Sequence, residues 1–335
     1  MKITILGSGS WGSALAQVLA DNNHEVILYG NDQSQIDDIN NFHQNKVFFG
    51  DDVYLNETIK ATTNLAKALE GSEVIVISVP SSAVRSVLNE VKPLLSKKKY
   101  FVNTAKGIEK GSDLRMSEVI NEVIPLSLRY PVVSIIGPSH AEEVILRQVT
   151  AVTATSSHNE SAEKIQHLFA NEYFRVYTND DEIGAELAVA MKNSIAIASG
   201  TLAGLGYGDN ARAALITRGL HEMSKFGVIL GAKQSTFLGL TGLGDLVVTC
   251  NSKHSRNFRA GYAIGKADDA SEFLKANKTT VEGIYATEVI KEIADKLDVE
   301  LPIIAAVYEV LFNNAKPSEL INQLMTRPLK DEKQQ

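Results

Sequence analysis

The chain has 335 residues, 44% hydrophobic and 22% charged, with a formal net charge of −7. That length supports two domains with real cores, and the acidic balance argues against nucleic acid or an anionic membrane surface as the main partner. One cysteine, Cys250, excludes an intramolecular disulfide, and with seven histidines lacking H-E-x-x-H spacing it argues against a zinc site.

The first element is an apolar run, Lys2-Ile3-Thr4-Ile5-Leu6, which reads as a buried parallel strand and leaves no room for a signal peptide before it. It leads into Gly7-Ser8-Gly9-Ser10-Trp11-Gly12 and then a small-residue helix, Ser13 to Ala20. In a G-x-G-x-x-G turn between a strand and a helix each glycine has a task. Gly7 permits the tight turn, Gly9 lets a pyrophosphate approach bare backbone, and Gly12 seats the helix against the sheet. The helix N-terminus offers unpaired N–H groups and partial positive charge to phosphates.

Further strands are expected at Glu25–Tyr29, Thr58–Thr62, Glu73–Val79, Tyr100–Thr104, Val132–Ile136, Thr150–Thr155 and Phe174–Tyr177. Such β-branched runs alternating with helical segments indicate a doubly wound α/β sheet, parallel and covered on both faces. The pattern changes at Thr178–Asp181. Beyond it the periodicity is helical: a long helix through Met191, N-capped by Asp180 or Asp181, then Asn210–Leu230, Glu282–Leu297 and Pro302–Phe312. The division expected is a Rossmann-type dinucleotide-binding domain over residues 1–178 and an all-helical domain over 179–335, with a frayed tail from Lys330. The longest uncharged stretch, Asn193 to Gly208, is too short and glycine-rich to span a bilayer.

Ligands of a doubly wound sheet bind beyond the carboxyl ends of its strands. Asn31 and Asp32 follow the second strand, where Asp32 either accepts hydrogen bonds from an adenosine ribose or caps the next helix. Lys106 follows the fifth strand, as an ammonium over the crevice or a solvated loop lysine. Gly137-Pro138-Ser139-His140-Ala141 follows the sixth. Lys192 is the only cation between Arg175 and Arg212, in a helix apolar enough to be buried nearly all round. A buried lysine is costly unless paired or functional, and burial tunes it for proton transfer; the alternative is a snorkelling side chain. Asp245 ends a glycine-rich approach and either orients a lysine or caps the following helix. Ser255-Arg256-Asn257 offers a hydroxyl, a guanidinium fork and an amide, a set suited to phosphate. Val281-Glu282 offers a second carboxylate or simply a helix start.

These blocks, in this order, resemble the bacterial NAD(P)-dependent glycerol-3-phosphate dehydrogenases from Gly7 to about Met325. The specific matches are Gly7–Gly12, Ala105–Glu109, Gly137–Glu143, Met191–Asn193, Gly242–Leu246, His254–Asn257 and Val281–Gly283. The resemblance implies reversible NAD(P)H-dependent reduction of dihydroxyacetone phosphate to sn-glycerol 3-phosphate, feeding glycerophospholipid synthesis in the cytoplasm. It implies that Ser10, Trp11, Ala141, Arg256, Val281 and Glu282 touch the cofactor and that Lys106 touches both cofactor and substrate. It implies that Gly137, Ser139, Asp245, Ser255, Arg256 and Asn257 hold the substrate, and that Lys192, oriented by Asp245, is the catalytic acid/base. The family often carries His or Arg where Asn31 stands, and no arginine lies between Gly30 and Ile36, which leans toward NADH over NADPH. Asn45-Lys46-Val47-Phe48-Phe49 replaces a more usual Tyr-Leu-Pro stretch. A related hydroxy-acid or sugar-acid dehydrogenase and a non-catalytic dinucleotide sensor are the rival readings. A homodimer is carried as an expectation that no residue argues for.

Overall fold

The computed structural model describes residues 1–277, 281–329 and 331–332; most of the tail expected to fray, Lys330 and residues 333–335, lies outside the described residues. The chain divides into two compact units, Met1–Ala190 with Gly227–Val248, and Met191–Phe226 with Thr249–Gln335.

The first unit is built on an eight-stranded sheet: β1 (Lys2–Leu6), β2 (Glu25–Tyr29), β3 (Lys60–Thr62), β4 (Val74–Ile77), β5 (Tyr100–Asn103), β6 (Val133–Ile136), β7 (Thr150–Thr155) and β8 (Phe174–Asn179). The strands lie in the order β3-β2-β1-β4-β5-β6-β7-β8. Chain order reverses between β1 and β4, the switch point where a doubly wound sheet opens a crevice for a ligand. Strand periodicity explains the two-sided burial. In β4, Val74 and Val76 join Ile3, Ile5, Ala14 and Leu15 in one core, while Ile75 and Ile77 join Leu6, Val84, Leu88 and Val119 in the other. A strand with a core on each face has no polar position to spare, so its sequence reads VIVI.

One expectation is corrected. All neighbours are parallel except β6 and β7, which run antiparallel, with Ile135 opposite Ala154. A continuous β-branched run reports burial on both faces and carries no sign of direction. The segment between β6 and β7 contains only the short Ala141–Val144 helix. A parallel crossover needs a longer connection, such as the Asn159–Phe169 helix that takes the chain from β7 to its parallel neighbour β8. The Glu182–Gly204 helix begins where the strand pattern was expected to stop, with Asp181 accepting from Gly184 N at 2.9 Å.

The described residues of the second unit form helices and no strands, and Ile197, Ala260, Ile264, Val281, Val307 and Leu311 lie in its core. Two of its helices meet backbone to backbone. A Cβ on Gly200 would fall on the carbonyl of Phe258, and one on Gly261 on the carbonyl of Ile197. Pro302 opens the Pro302–Phe312 helix, and Leu301 at its N-cap has no side-chain acceptor to offer. Glu222, from the Asp209–Ile229 helix, supplies one instead, accepting from Ile303 N at 2.7 Å and Ile304 N at 3.3 Å.

Burial pushes the Glu222 carboxyl up to about 7, against the two N–H groups that favour its charged form. Its folded-state value lies above the unfolded one. The group's contribution to stability is therefore complete below about pH 4.5 and is lost as pH rises through 7. Glu222→Gln keeps an acceptor for the helix and removes the titration. Melting temperatures followed from pH 5 to pH 8 should fall less steeply in the variant than in the wild type; equal slopes would show that Glu222 does not titrate in this window.

Candidate active site

In the first unit the turn after β1 is bare backbone held from beneath. Gly7 has φ +116°, a conformation open to glycine, and a Cβ there would overlap the carbonyl of Ser78. A Cβ on Gly12 would overlap the carbonyl of Gly7. Gly9 is the N-cap of the Ser10–Asp21 helix and has no side chain, so the first-turn N–H groups have no acceptor ahead of them in the chain. The nearest atom to a Cβ built on Gly9 is the ring Cζ of Phe48, at 4.0 Å. No other atom beyond its chain neighbours lies within 4 Å of that position, and the buried indole Nε1 of Trp11 has no hydrogen-bond partner. An uncovered turn at the switch point with an indole donor beside it fits a dinucleotide.

The turn is shaped by a buried amide network that sequence reasoning missed. Asn45 Nδ2 donates to Ser8 O at 2.9 Å and to Ser13 Oγ at 2.8 Å. Its Oδ1 accepts from Gln35 Nε2 at 3.0 Å, and Ser8 Oγ donates to Gln35 Oε1. All four residues are buried. The segment from Asn45 to Phe49, noted in the sequence only as a departure from a family pattern, thus braces the turn with Asn45 and sets Phe48 beside it. Asp32 caps the Gln33–Phe42 helix, accepting from Ser34 N at 2.9 Å and Gln35 N at 3.3 Å, and both Asn31 and Asp32 are exposed.

Lys106 is half-buried in the loop after β5. The loop is gripped further along by Arg85, whose Nε donates to Glu109 at 2.9 Å and whose Nη1 reaches Glu122 at 3.1 Å. The guanidinium holds Glu109 below the usual carboxylate range. After β6, a Cβ on Gly137 would stand 2.8 Å from Val152 Cα, and Ser139 Oγ donates back to Gly137 O at 3.1 Å. Ala141 opens the Ala141–Val144 helix. A Cβ on Gly244 would lie 3.5 Å from the Pro138 ring, so the fold brings the Gly137–Ser139 turn and the approach to Asp245 together. Asp245 is buried and begins the Asp245–Asn251 helix.

In the second unit Lys192 is 3% exposed and its Nζ donates to Thr249 Oγ1 at 2.9 Å. Burial of the ammonium is as its apolar surroundings in the sequence implied; Thr249 as its partner was not foreseen. Asn193 Oδ1 accepts from Asn257 Nδ2 at 3.0 Å, and Asn257 Oδ1 accepts from Gly283 N at 2.9 Å. Asn257 is therefore a bridge joining three segments, with one amide hydrogen left over. Ser255 caps the Arg256–Ala267 helix, its Oγ accepting from Phe258 N at 3.2 Å. A hydroxyl that accepts still has a proton to donate. Arg256 is exposed at the first helical position. Val281 is buried and caps the Glu282–Lys296 helix, so Glu282 does open a helix. The chemistry falls into two kinds: helix N-termini suited to phosphate, uncapped by a side chain at Ser10 and capped by Ser255 at Arg256, and a buried ammonium at Lys192 suited to proton transfer.

The sequence matches the family described as NAD-dependent glycerol-3-phosphate dehydrogenase, its N-terminal part over residues 2–162 and its C-terminal part over residues 181–322. The glycerol-3-phosphate dehydrogenase [NAD(P)+] of Lacticaseibacillus paracasei is 48% identical, over 99% of this chain and 96% of the relative. That of Staphylococcus epidermidis is 47% identical, over 99% of each. The crystal structure of glycerol-3-phosphate dehydrogenase from Coxiella burnetii superposes with a TM-score of 0.90 at 39% identity, covering 97% of this chain and 99% of that one. D-mandelate dehydrogenase with NADH, at a TM-score of 0.64 and 16% identity, shares the fold alone. With both parts matched in order across nearly its whole length, the chain belongs to the NAD-dependent glycerol-3-phosphate dehydrogenase family.

Proposed function

We propose that this protein is an NAD(P)-dependent glycerol-3-phosphate dehydrogenase that reversibly reduces dihydroxyacetone phosphate to sn-glycerol 3-phosphate, the backbone of glycerophospholipids. The observation that carries this reading is 48% identity across 99% of the chain to a relative of that name, in a protein whose β1 turn is uncovered backbone. When bound, the nicotinamide supplies the hydride. The chain's own residues supply the rest. Ser10, Trp11 and the bare turn hold the pyrophosphate, with Asn31 or Asp32 toward the ribose and Ala141, Val281 and Glu282 completing the cofactor contacts. Ser255 donates its free hydroxyl proton to the substrate phosphate, and Arg256 adds its guanidinium at a helix N-terminus, where the dipole already favours an anion. Asn257 contributes its remaining amide hydrogen. Lys106, Gly137, Ser139 and Asp245 hold the remainder of the substrate.

Negative charge grows on the ketone oxygen as the hydride arrives, and Lys192 donates the proton that quenches it. Thr249 Oγ1 fixes where the ammonium points. In the reverse direction neutral Lys192 takes the proton back. The reaction needs no metal ligand set, and among the described residues no group of three or more His, Cys, Asp or Glu side chains is arranged to hold a metal. No helix of the described chain is long and apolar enough to cross a membrane; a cytoplasmic location and a homodimer are part of this proposal.

Absorbance of NADH, and separately of NADPH, after adding dihydroxyacetone phosphate tests the reading directly. Oxidation of either supports it, with kcat/KM expected higher for NADH because Asn31 and Asp32 offer no cation to a 2′-phosphate. A folded protein that binds either dinucleotide and oxidises neither would overturn it. Lys192→Ala should cut kcat by about a hundredfold or more with the melting temperature preserved; a near wild-type rate would remove Lys192 from the role. Arg256→Ala should raise KM for dihydroxyacetone phosphate by about tenfold or more. Unchanged KM for both substrate and cofactor would count against the phosphate clamp.

A further inference from the structure

Glu186 is a buried carboxyl of the first unit held on every side. It lies in the Glu182–Gly204 helix, 2% exposed, and its two oxygens accept from five donors. Oε1 takes Asn103 Nδ2 at 3.2 Å, Ser117 N at 3.1 Å and Ser134 Oγ at 2.9 Å. Oε2 takes Ser117 Oγ at 2.7 Å and Arg115 Nη1 at 3.2 Å. Burial pushes its pKa up, while Arg115 and the two serines pull it down. The Ser117 N–H, the Asn103 amide nitrogen and the Arg115 guanidinium can only donate to it, while the two serine hydroxyls can donate or accept.

What this carboxylate holds is the root of the Lys106 loop. Asn103 is the last residue of β5 and is fully buried. Its Oδ1 accepts from Ala105 N at 3.0 Å and its Nδ2 donates to Ala105 O at 3.3 Å. The same Nδ2 donates to Ser134 Oγ at 3.1 Å and to Glu186. One amide thus clasps both backbone groups of Ala105, the residue before Lys106, and its orientation is fixed by Glu186. An asparagine that lost Glu186 would keep Ala105 and Ser134 as partners but lose the carboxylate acceptor that anchors its Nδ2. A flip would present N–H to Ala105 N and oxygen to Ala105 O, breaking both ends of the clasp.

We propose that Glu186 is a positioning residue for the dehydrogenase reaction, setting Lys106 through the Asn103–Ala105 clasp. This role rests on the assignment of Lys106 as a substrate and cofactor contact. The Gly7–Gly12 turn has its own bracing, from Ser8, Gln35 and Asn45.

The experiment is a double-mutant cycle of Glu186→Gln with Lys106→Ala in the full chain, read by steady-state kinetics with dihydroxyacetone phosphate and by NADH fluorescence titration. Glu186→Gln is expected to lower kcat/KM at least tenfold in the wild-type background, with the dissociation constant for NADH changing no more than it does in Lys106→Ala. In the Lys106→Ala background the same substitution should change kcat/KM less than twofold, because there is no lysine left to place. An equal loss in both backgrounds, or no loss in a folded Glu186→Gln protein, would overturn the proposal. If Lys106→Ala alone leaves kcat and KM unchanged, the assignment of Lys106 is wrong and the proposal falls with it, an outcome separate from the first because it appears in the single variant. Should Glu186→Gln not fold, Asn103→Ala runs the same cycle with the same expectations, since it removes the clasp and leaves the carboxylate its other four donors.

Discussion

The carboxyl edge of the sheet depends on how closely three backbones meet at Gly7. Its N–H donates to Tyr29 O at the end of β2, and Ser78 N, just beyond β4, donates to Leu6 O at the end of β1, both at 2.8 Å. The position of a Cβ on Gly7 is occupied by the Ser78 carbonyl, and that of a Cβ on Gly12 by the Gly7 carbonyl. Strand ends β1, β2 and β4 and the start of the Ser10–Asp21 helix are therefore one knot, and any side chain at residue 7 or 12 would have to loosen it. The helix starts at this knot, so its unpaired first-turn N–H groups lie at the switch point of the sheet.

Side-chain amides carry the next level of control. Asn45 and Gln35 hold the phosphate turn and Asn103 holds the Lys106 loop. Asn257, with Asn193, ties the start of the Arg256–Ala267 helix to Gly283. Each carries a donor and an acceptor on one rigid group, so it can satisfy a backbone N–H and a carbonyl that regular structure leaves over. Loops at the ends of strands are where such leftovers collect, and these are also the places where the proposed ligand contacts lie.

The sequence made the local part of this legible and concealed the remote part. The Gly7–Gly12 turn, the eight strands to within two residues at each end, and the start of the Pro302–Phe312 helix follow from neighbours in the chain, whose spacing is visible. The antiparallel β7 does not, because pairing direction is set by the length of the connection and leaves the β-branched pattern unchanged. Nor do the partners of Lys192 and Glu186: Thr249 lies 57 residues from the one, and Ser117 and Asn103 lie 69 and 83 residues from the other. The apolar stretch around Lys192 announced a buried charge. Glu186 stands in the same stretch, and the same reasoning applied to an anion would have singled it out.

That stretch shows why a buried helix carries charge sparingly. From Ala185 to Ile197 every residue of the Glu182–Gly204 helix is buried, and the only charged side chains within that stretch are Glu186 and Lys192. Removing a charge from water costs several kcal/mol unless the protein replaces the lost solvation. Glu186 regains it from five hydrogen-bond donors and is fixed in place by them. Lys192 donates to the Thr249 hydroxyl at 2.9 Å. A carboxylate surrounded by donors is held in place and suits positioning, whereas the Lys192 ammonium is itself a donor and suits the proton transfer proposed for it. On this argument the two charges of one helix divide between them the tasks of fixing the site and working in it.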